Sequence, residues 1–147
     1  MLTTLSAEAL AERLRPLLLR LNRDLRREAL PMGVTAGQVS LLVAIGNTPG
    51  IGVRDLARLE RMSAPAMVGY VDRLTAAGLV MRGPVEGDRR RVGLELTADG
   101  RRVLRSARAM RTAWLAARLR RLTGEQLAAL EAALEPLALV ASDQGAA

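Results

Sequence analysis

The chain has 147 residues, half of them apolar, with Trp114 and Tyr70 as its aromatic side chains and a net charge of +7. It contains no cysteine and no histidine, so it can form no disulfide, no thiolate zinc site and no thiol or imidazole catalytic pair, and metal sensing, redox sensing and most enzymatic chemistry are disfavoured. The positive balance favours an anionic partner, either nucleic acid or an acidic membrane, and charge alone does not choose between them.

All 22 basic residues are arginine. The same bias enriches alanine, glycine and leucine, so it reads as the codon usage of a G+C-rich genome rather than as selection for phosphate recognition. The length suits one domain, 1–147, whose core must be built from Leu, Val, Ala, Ile and Met. Apolar runs such as Val39 to Ile45 fall far short of the roughly 20 residues needed to span a membrane. The N-terminal residues lack the basic and apolar regions of a signal peptide, and a cytoplasmic location is expected.

In chain order, Ser6 caps a first helix in which Leu10, Leu14, Leu17, Leu21 and Leu25 recur at helical spacing, with Pro16 marking either a bend or a late start. Thr35-Ala36-Gly37-Gln38 has the form of a capping box opening a second, largely buried helix through Val39, Leu41, Leu42, Val43 and Ile45. A turn over Asn47 to Gly50 and a short extended piece at Ile51 lead into a two- or three-turn helix carrying Val53, Leu56, Ala57 and Leu59. Ser63 caps a fourth helix, with Pro65 in its first turn, Met67, Val71 and Leu74 on its inner face and Gly78 as its stop. Two extended pieces, Val80 to Arg82 and Val92 to Leu96, flank a loop containing Asp88, Arg89, Arg90 and Arg91, which reads as a β-hairpin. Thr97 then caps a long fifth helix with Val103, Ala107, Met110 and Trp114 on one stripe. Thr123-Gly124-Glu125-Gln126 opens a sixth helix with Leu127, Leu130, Leu134 and Leu137, and the tail from Ser142 is expected to be disordered.

The fold class expected is mainly α, an α+β winged helix-turn-helix with long terminal helices. Residues 35–97 form the DNA-binding lobe, and 6–30 and 98–141 form a helical dimerisation region. A short helix followed by a capped helix places the second in the major groove, where each base pair shows a distinct pattern of donors, acceptors and methyl groups. The hairpin behind it is then a wing whose arginines can reach phosphates or the narrow, electronegative minor groove. A run of three arginines is weak evidence alone. Its position behind a helix-turn-helix gives it meaning.

Met62 to Leu74, then Gly78-Leu79-Val80-Met81-Arg82, Asp88-Arg89-Arg90, and Leu96-Thr97 with Gly100 resemble the MarR-type winged-helix regulators in order and spacing over nearly the whole chain. The resemblance implies an obligate dimer joined through the first, fifth and sixth helices, with the fourth helix reading the major groove. It also implies that Asp88 is the acid supporting the wing and that Arg90 enters the minor groove. Members often bind small aromatic or phenolic effectors in a cleft between the dimer helices and the winged helix, and such an effector is expected here, with no other cofactor.

The chain departs from the family pattern in the reading helix, where Val68 and Gly69 replace the usual hydroxyl and basic pair. Base contact then falls to Ser63, Ala64, Pro65 and Ala66, through thymine methyl groups, with Arg54, Arg61 and Arg73 left for phosphates. A salt bridge from Arg73 to an acid such as Asp88 is an equal alternative, and Ser63 is a helix cap whether or not it meets DNA. Trp114 reads first as core or interface packing and second as the wall of a ligand cavity.

The function these features imply is a sequence-specific regulator of transcription on double-stranded DNA, acting as a homodimer on a pseudo-palindromic operator. It is expected to be a repressor relieved by its effector. The competing reading is a winged-helix protein-interaction module. A membrane-bound arginine-rich helix fits less well, because the arginines are spread around several helices.

Overall fold

A computed structural model describes residues 6–28, 30–31 and 33–142. The elements run α1 (Ala7–Glu28), α2 (Ala36–Asn47), α3 (Val53–Leu59), α4 (Ala64–Ala76), β1 (Val80–Val85), β2 (Asp88–Leu96), α5 (Ala98–Leu119) and α6 (Gly124–Ser142). The fold is therefore mainly helical, with one two-stranded antiparallel sheet, as the patterning implied. The chain divides into two compact units, Met1–Arg111 and Thr112–Ala147, with the boundary inside α5. None of the described helices is long and apolar enough to cross a membrane.

In the first unit, the core is assembled from every element of the winged helix. Leu42 and Ile45 of α2, Leu56 of α3, Met67, Val71 and Leu74 of α4, Val80 of β1, Leu94 of β2 and Leu104 of α5 pack into one cluster. The capping box at Thr35 forms as its sequence predicts: Thr35 Oγ1 accepts from the Gln38 amide at 3.2 Å, and the Gln38 side chain accepts from the Thr35 amide at 3.0 Å. α5 meets this core along Gly100, Leu104 and Ala107, whereas Met110 of the expected stripe stays exposed. Gly100 sits where a β-carbon would collide with the Leu79 carbonyl, so the start of α5 lies close against that backbone, and Val103 of the expected stripe packs against the core.

The join between α3 and α4 follows from a single residue. Arg61 adopts a left-handed backbone, with φ of 54°, where glycine is the usual occupant. The Met62 amide reaches back to the Ala57 carbonyl at 2.8 Å and the Arg61 amide to the Arg58 carbonyl at 3.2 Å, so the last carbonyls of α3 are satisfied while the chain reverses. Gly78, with φ of 74°, closes α4 the same way, its amide donating to Thr75 and that of Leu79 to Leu74.

The hairpin differs from expectation. Both strands run further, leaving Glu86 and Gly87 as the turn and placing Arg89, Arg90 and Arg91 within β2 rather than in a loop. The register explains this: Pro84 pairs with Val92 but Val85 pairs with Asp88, so the three arginines form an extra segment that has no counterpart on β1. Ile51 adds the expected extended piece, bridging to Leu94, and Gly93 is required there because a β-carbon would strike the Gly50 backbone.

α1 is capped by Ser6, whose hydroxyl accepts from the Ala9 amide at 3.2 Å. Pro16 lies inside the helix, so it marks no late start. The carbonyl it leaves without a donor belongs to exposed Glu12, where water can replace the missing bond. In the second unit, the Thr123–Gln126 capping box opens α6, which continues through Pro136 to Ser142. Ser142, expected to begin a disordered tail, is instead the last residue of α6, and the rest of that expectation falls on residues 143–147, outside the described residues.

Candidate nucleic-acid interface

α4 is held by its inner face, Met67, Val71 and Leu74, which are fully buried, so its opposite face is presented outward. Ser63 does cap it, with Oγ accepting from the Ala66 amide at 3.3 Å. Pro65, Ala66 and Val68 are exposed, while Ala64 and Gly69 are half-buried. Arg73 makes no ion pair with Asp88; its guanidinium lies 4.7 Å from the centroid of the Tyr70 ring, a cation–π contact along the same helix. The acid of α4, Asp72, is paired instead with Arg82 of β1 at 2.9 Å.

Arg54 and Arg61 are exposed on and just after α3. In the wing, Asp88 Oδ1 accepts from the Arg90 amide at 3.0 Å, an Asx turn that fixes the start of the arginine segment. Arg89 and Arg90 are exposed and take part in no ion pair among the described residues. Arg91 behaves differently: it lies 3.5 Å from Asp55, which also meets Arg58 at 3.4 Å. This contact ties the base of the wing to α3, and the sequence reading missed it. No spacing rule connects Asp55 to Arg91, because their meeting depends on the fold of the hairpin.

Trp114 is half-buried in the second unit, with the Arg118 guanidinium 3.3 Å from its ring centroid and its indole N–H enclosed without an acceptor. Two open clefts stand out among the described residues of the first unit. One, of about 460 Å³, lies among the end of α2, the end of β2 and α5, over Ile45, Leu96 and Leu104 with Arg101, Arg105 and Arg108 on its rim. The other, of about 530 Å³, lies between α3 and the wing around Asp55, Arg82 and Arg91. Trp114 lines neither.

The profile of the MarR family matches residues 32–91. An HTH-type transcriptional regulator of Mycobacterium tuberculosis is 33% identical over 123 residues, 83% of this chain and 86% of that protein. The chain belongs to the MarR family. Among solved structures, a transcriptional regulator protein of Pseudomonas aeruginosa matches with a TM-score of 0.78 and 32% identity, covering 92% of this chain and 95% of that one. Apo MarR of Escherichia coli matches with a TM-score of 0.67 and 27% identity, covering 84% and 96%. This MarR-family protein is thus a DNA-binding transcriptional regulator and not an enzyme.

Proposed function

We propose that the protein is a homodimeric repressor that binds a pseudo-palindromic operator, with α4 in the major groove and the wing arginines in the flanking minor groove, and that a small-molecule effector relieves repression. The observation that carries this reading is the pairing of a capped, outward-facing α4 with a wing in which Asp88 accepts from the Arg90 amide and the Arg89 and Arg90 side chains are left without ion pairs among the described residues. Arg54 and Arg61 extend the basic surface toward phosphates, while Arg91 acts through Asp55 by setting the wing.

Dimerisation is supported by surfaces that α1 and α6 leave uncovered. Leu10, Leu17, Leu18, Leu19 and Leu21 of α1 are exposed, as are Leu127, Leu130, Leu134, Leu139 and Val140 of α6. Such surface is costly in water, and a second copy covers it. Charge supports the same occupant, since α1 carries six arginines against four acids and α6 three glutamates and no base. Arg111 adds a local reason. Its Nε is enclosed without an acceptor, and burial, then the charge of Arg26, lowers its pKa from the ordinary guanidinium value. Its terminal guanidinium nitrogens, which are not enclosed, are where a carboxylate from a second copy can pair with it. The effector rests on family membership, and a dimer lying across a promoter represses by excluding polymerase.

The deciding experiment is a titration of DNA from upstream of the protein's own coding region against scrambled DNA of equal length. The proposal expects a preferred complex whose affinity falls about 10³ to 10⁵-fold between 50 and 200 mM salt, as for a dimer neutralising about six to ten phosphates. Equal binding of both fragments would favour the interaction-module reading.

A further inference from the structure

Several polar groups along the outward side of α4 are already engaged. Ser63 Oγ caps the helix, Thr75 Oγ1 donates to the Val71 carbonyl at 2.8 Å, Asp72 is held by Arg82, and Arg73 lies over Tyr70. Exposed in the first two turns are Pro65, which has no amide hydrogen, Ala66, Tyr70, whose ring carries Arg73, and Val68, which is 41% exposed although hydrophobic and stands at the edge of the cleft between α3 and the wing. A β-carbon built at Gly69 would meet nothing within 4 Å, so no neighbouring side chain of this chain stands over that position.

In the major groove the base edges offer donors and acceptors with one exception, the C5 methyl of thymine. An apolar side chain pressed against a G·C pair leaves the guanine N7 and O6 or the cytosine amino group desolvated and unpaired, a loss of roughly 5- to 150-fold in binding per group. The same side chain against a thymine methyl gains by removing two apolar surfaces from water. Attraction to thymine and rejection of G·C therefore act together.

We infer that Val68 is the specificity-determining contact of this regulator and that it reads thymine C5 methyl groups, making the operator half-site thymine-bearing where α4 enters the groove. This rests on the DNA-binding reading above and deepens it by naming the base chemistry read. Hydrogen-bonded readout from α4 is secondary, and the wing arginines supply the remaining sequence preference through groove shape.

The test compares the upstream fragment synthesised with deoxyuridine in place of thymidine, which removes each C5 methyl but keeps Watson–Crick pairing and the minor-groove pattern. Each methyl withdrawn from contact should weaken binding about fourfold, so a symmetric site with one contact in each half weakens about 16-fold. Val68→Ala should shrink the thymidine-to-deoxyuridine affinity ratio at least twofold. Val68 is surface-exposed, and an unchanged melting temperature and subunit mass establish that the variant is folded. A fragment bound equally well with thymidine and deoxyuridine, yet preferred over scrambled DNA, overturns this inference and leaves the DNA-binding reading intact. A thymidine fragment bound no better than scrambled DNA overturns both. A ratio that Val68→Ala does not change overturns the assignment to Val68.

Discussion

α2 and α6 are both apolar helices opened by a threonine–glutamine capping box, yet they meet different surroundings. α2 buries Val39, Leu41, Leu42, Ala44 and Ile45, whereas α6 buries no residue at all. α1, with its leucine row, likewise buries none. The winged-helix core is therefore complete within one chain, and the leucines of the terminal helices are surface until something covers them. Apolar periodicity shows that a helix face will be buried, but it does not say by which molecule.

Substitutions in the two regions should separate accordingly. The largest effect is expected from Leu56→Ala, which opens a cavity in the closed core and should cost about 3 kcal/mol in urea unfolding. Leu134→Glu instead places a charge on the open face of α6. It should weaken self-association about 100-fold, because symmetry introduces the change twice, and light scattering should then report 15.8 kDa rather than twice that mass. If Leu134→Glu unfolds the winged helix, the distinction between the regions fails.

Smaller changes sharpen the comparison within the DNA-facing surface. Arg90→Ala should reduce affinity for the upstream fragment about 10- to 100-fold in fluorescence anisotropy, with the mass of the dimer unchanged. Arg61→Gly should act in two directions. Glycine relieves the left-handed backbone and raises unfolding stability by about 0.5–1 kcal/mol, while loss of the guanidinium lowers the salt slope of DNA binding by about 1 per half-site. A destabilised Arg61→Gly protein would show that the arginine side chain supports the turn.

Much of the fold was legible because its signals are local. The caps at Ser6, Thr35, Ser63, Thr97 and Thr123 and the glycine stop at Gly78 each depend on residues a few positions apart. Features that depend on the meeting of distant segments were not legible. The Asp72–Arg82 and Asp55–Arg91 pairs, the bulged register that draws Arg89 to Arg91 into β2, and the burial of Leu104 on α5 all arise when the hairpin packs on the helices. Arg61 hid the α3 terminus for a related reason, since a non-glycine residue stands where the backbone needs a left-handed conformation. At the candidate site, the residue types were readable, but which arginines are already engaged was not.

Two copies of this winged helix reading one two-fold DNA site should leave a symmetric footprint, which hydroxyl-radical cleavage of the upstream fragment would reveal. Two protected segments related by approximate dyad symmetry are expected, with half-site centres about one helical turn, roughly 34 Å, apart and further protection in the outer minor grooves where the wings lie. A single unpaired protected segment, or protection without any dyad, would contradict two-fold binding.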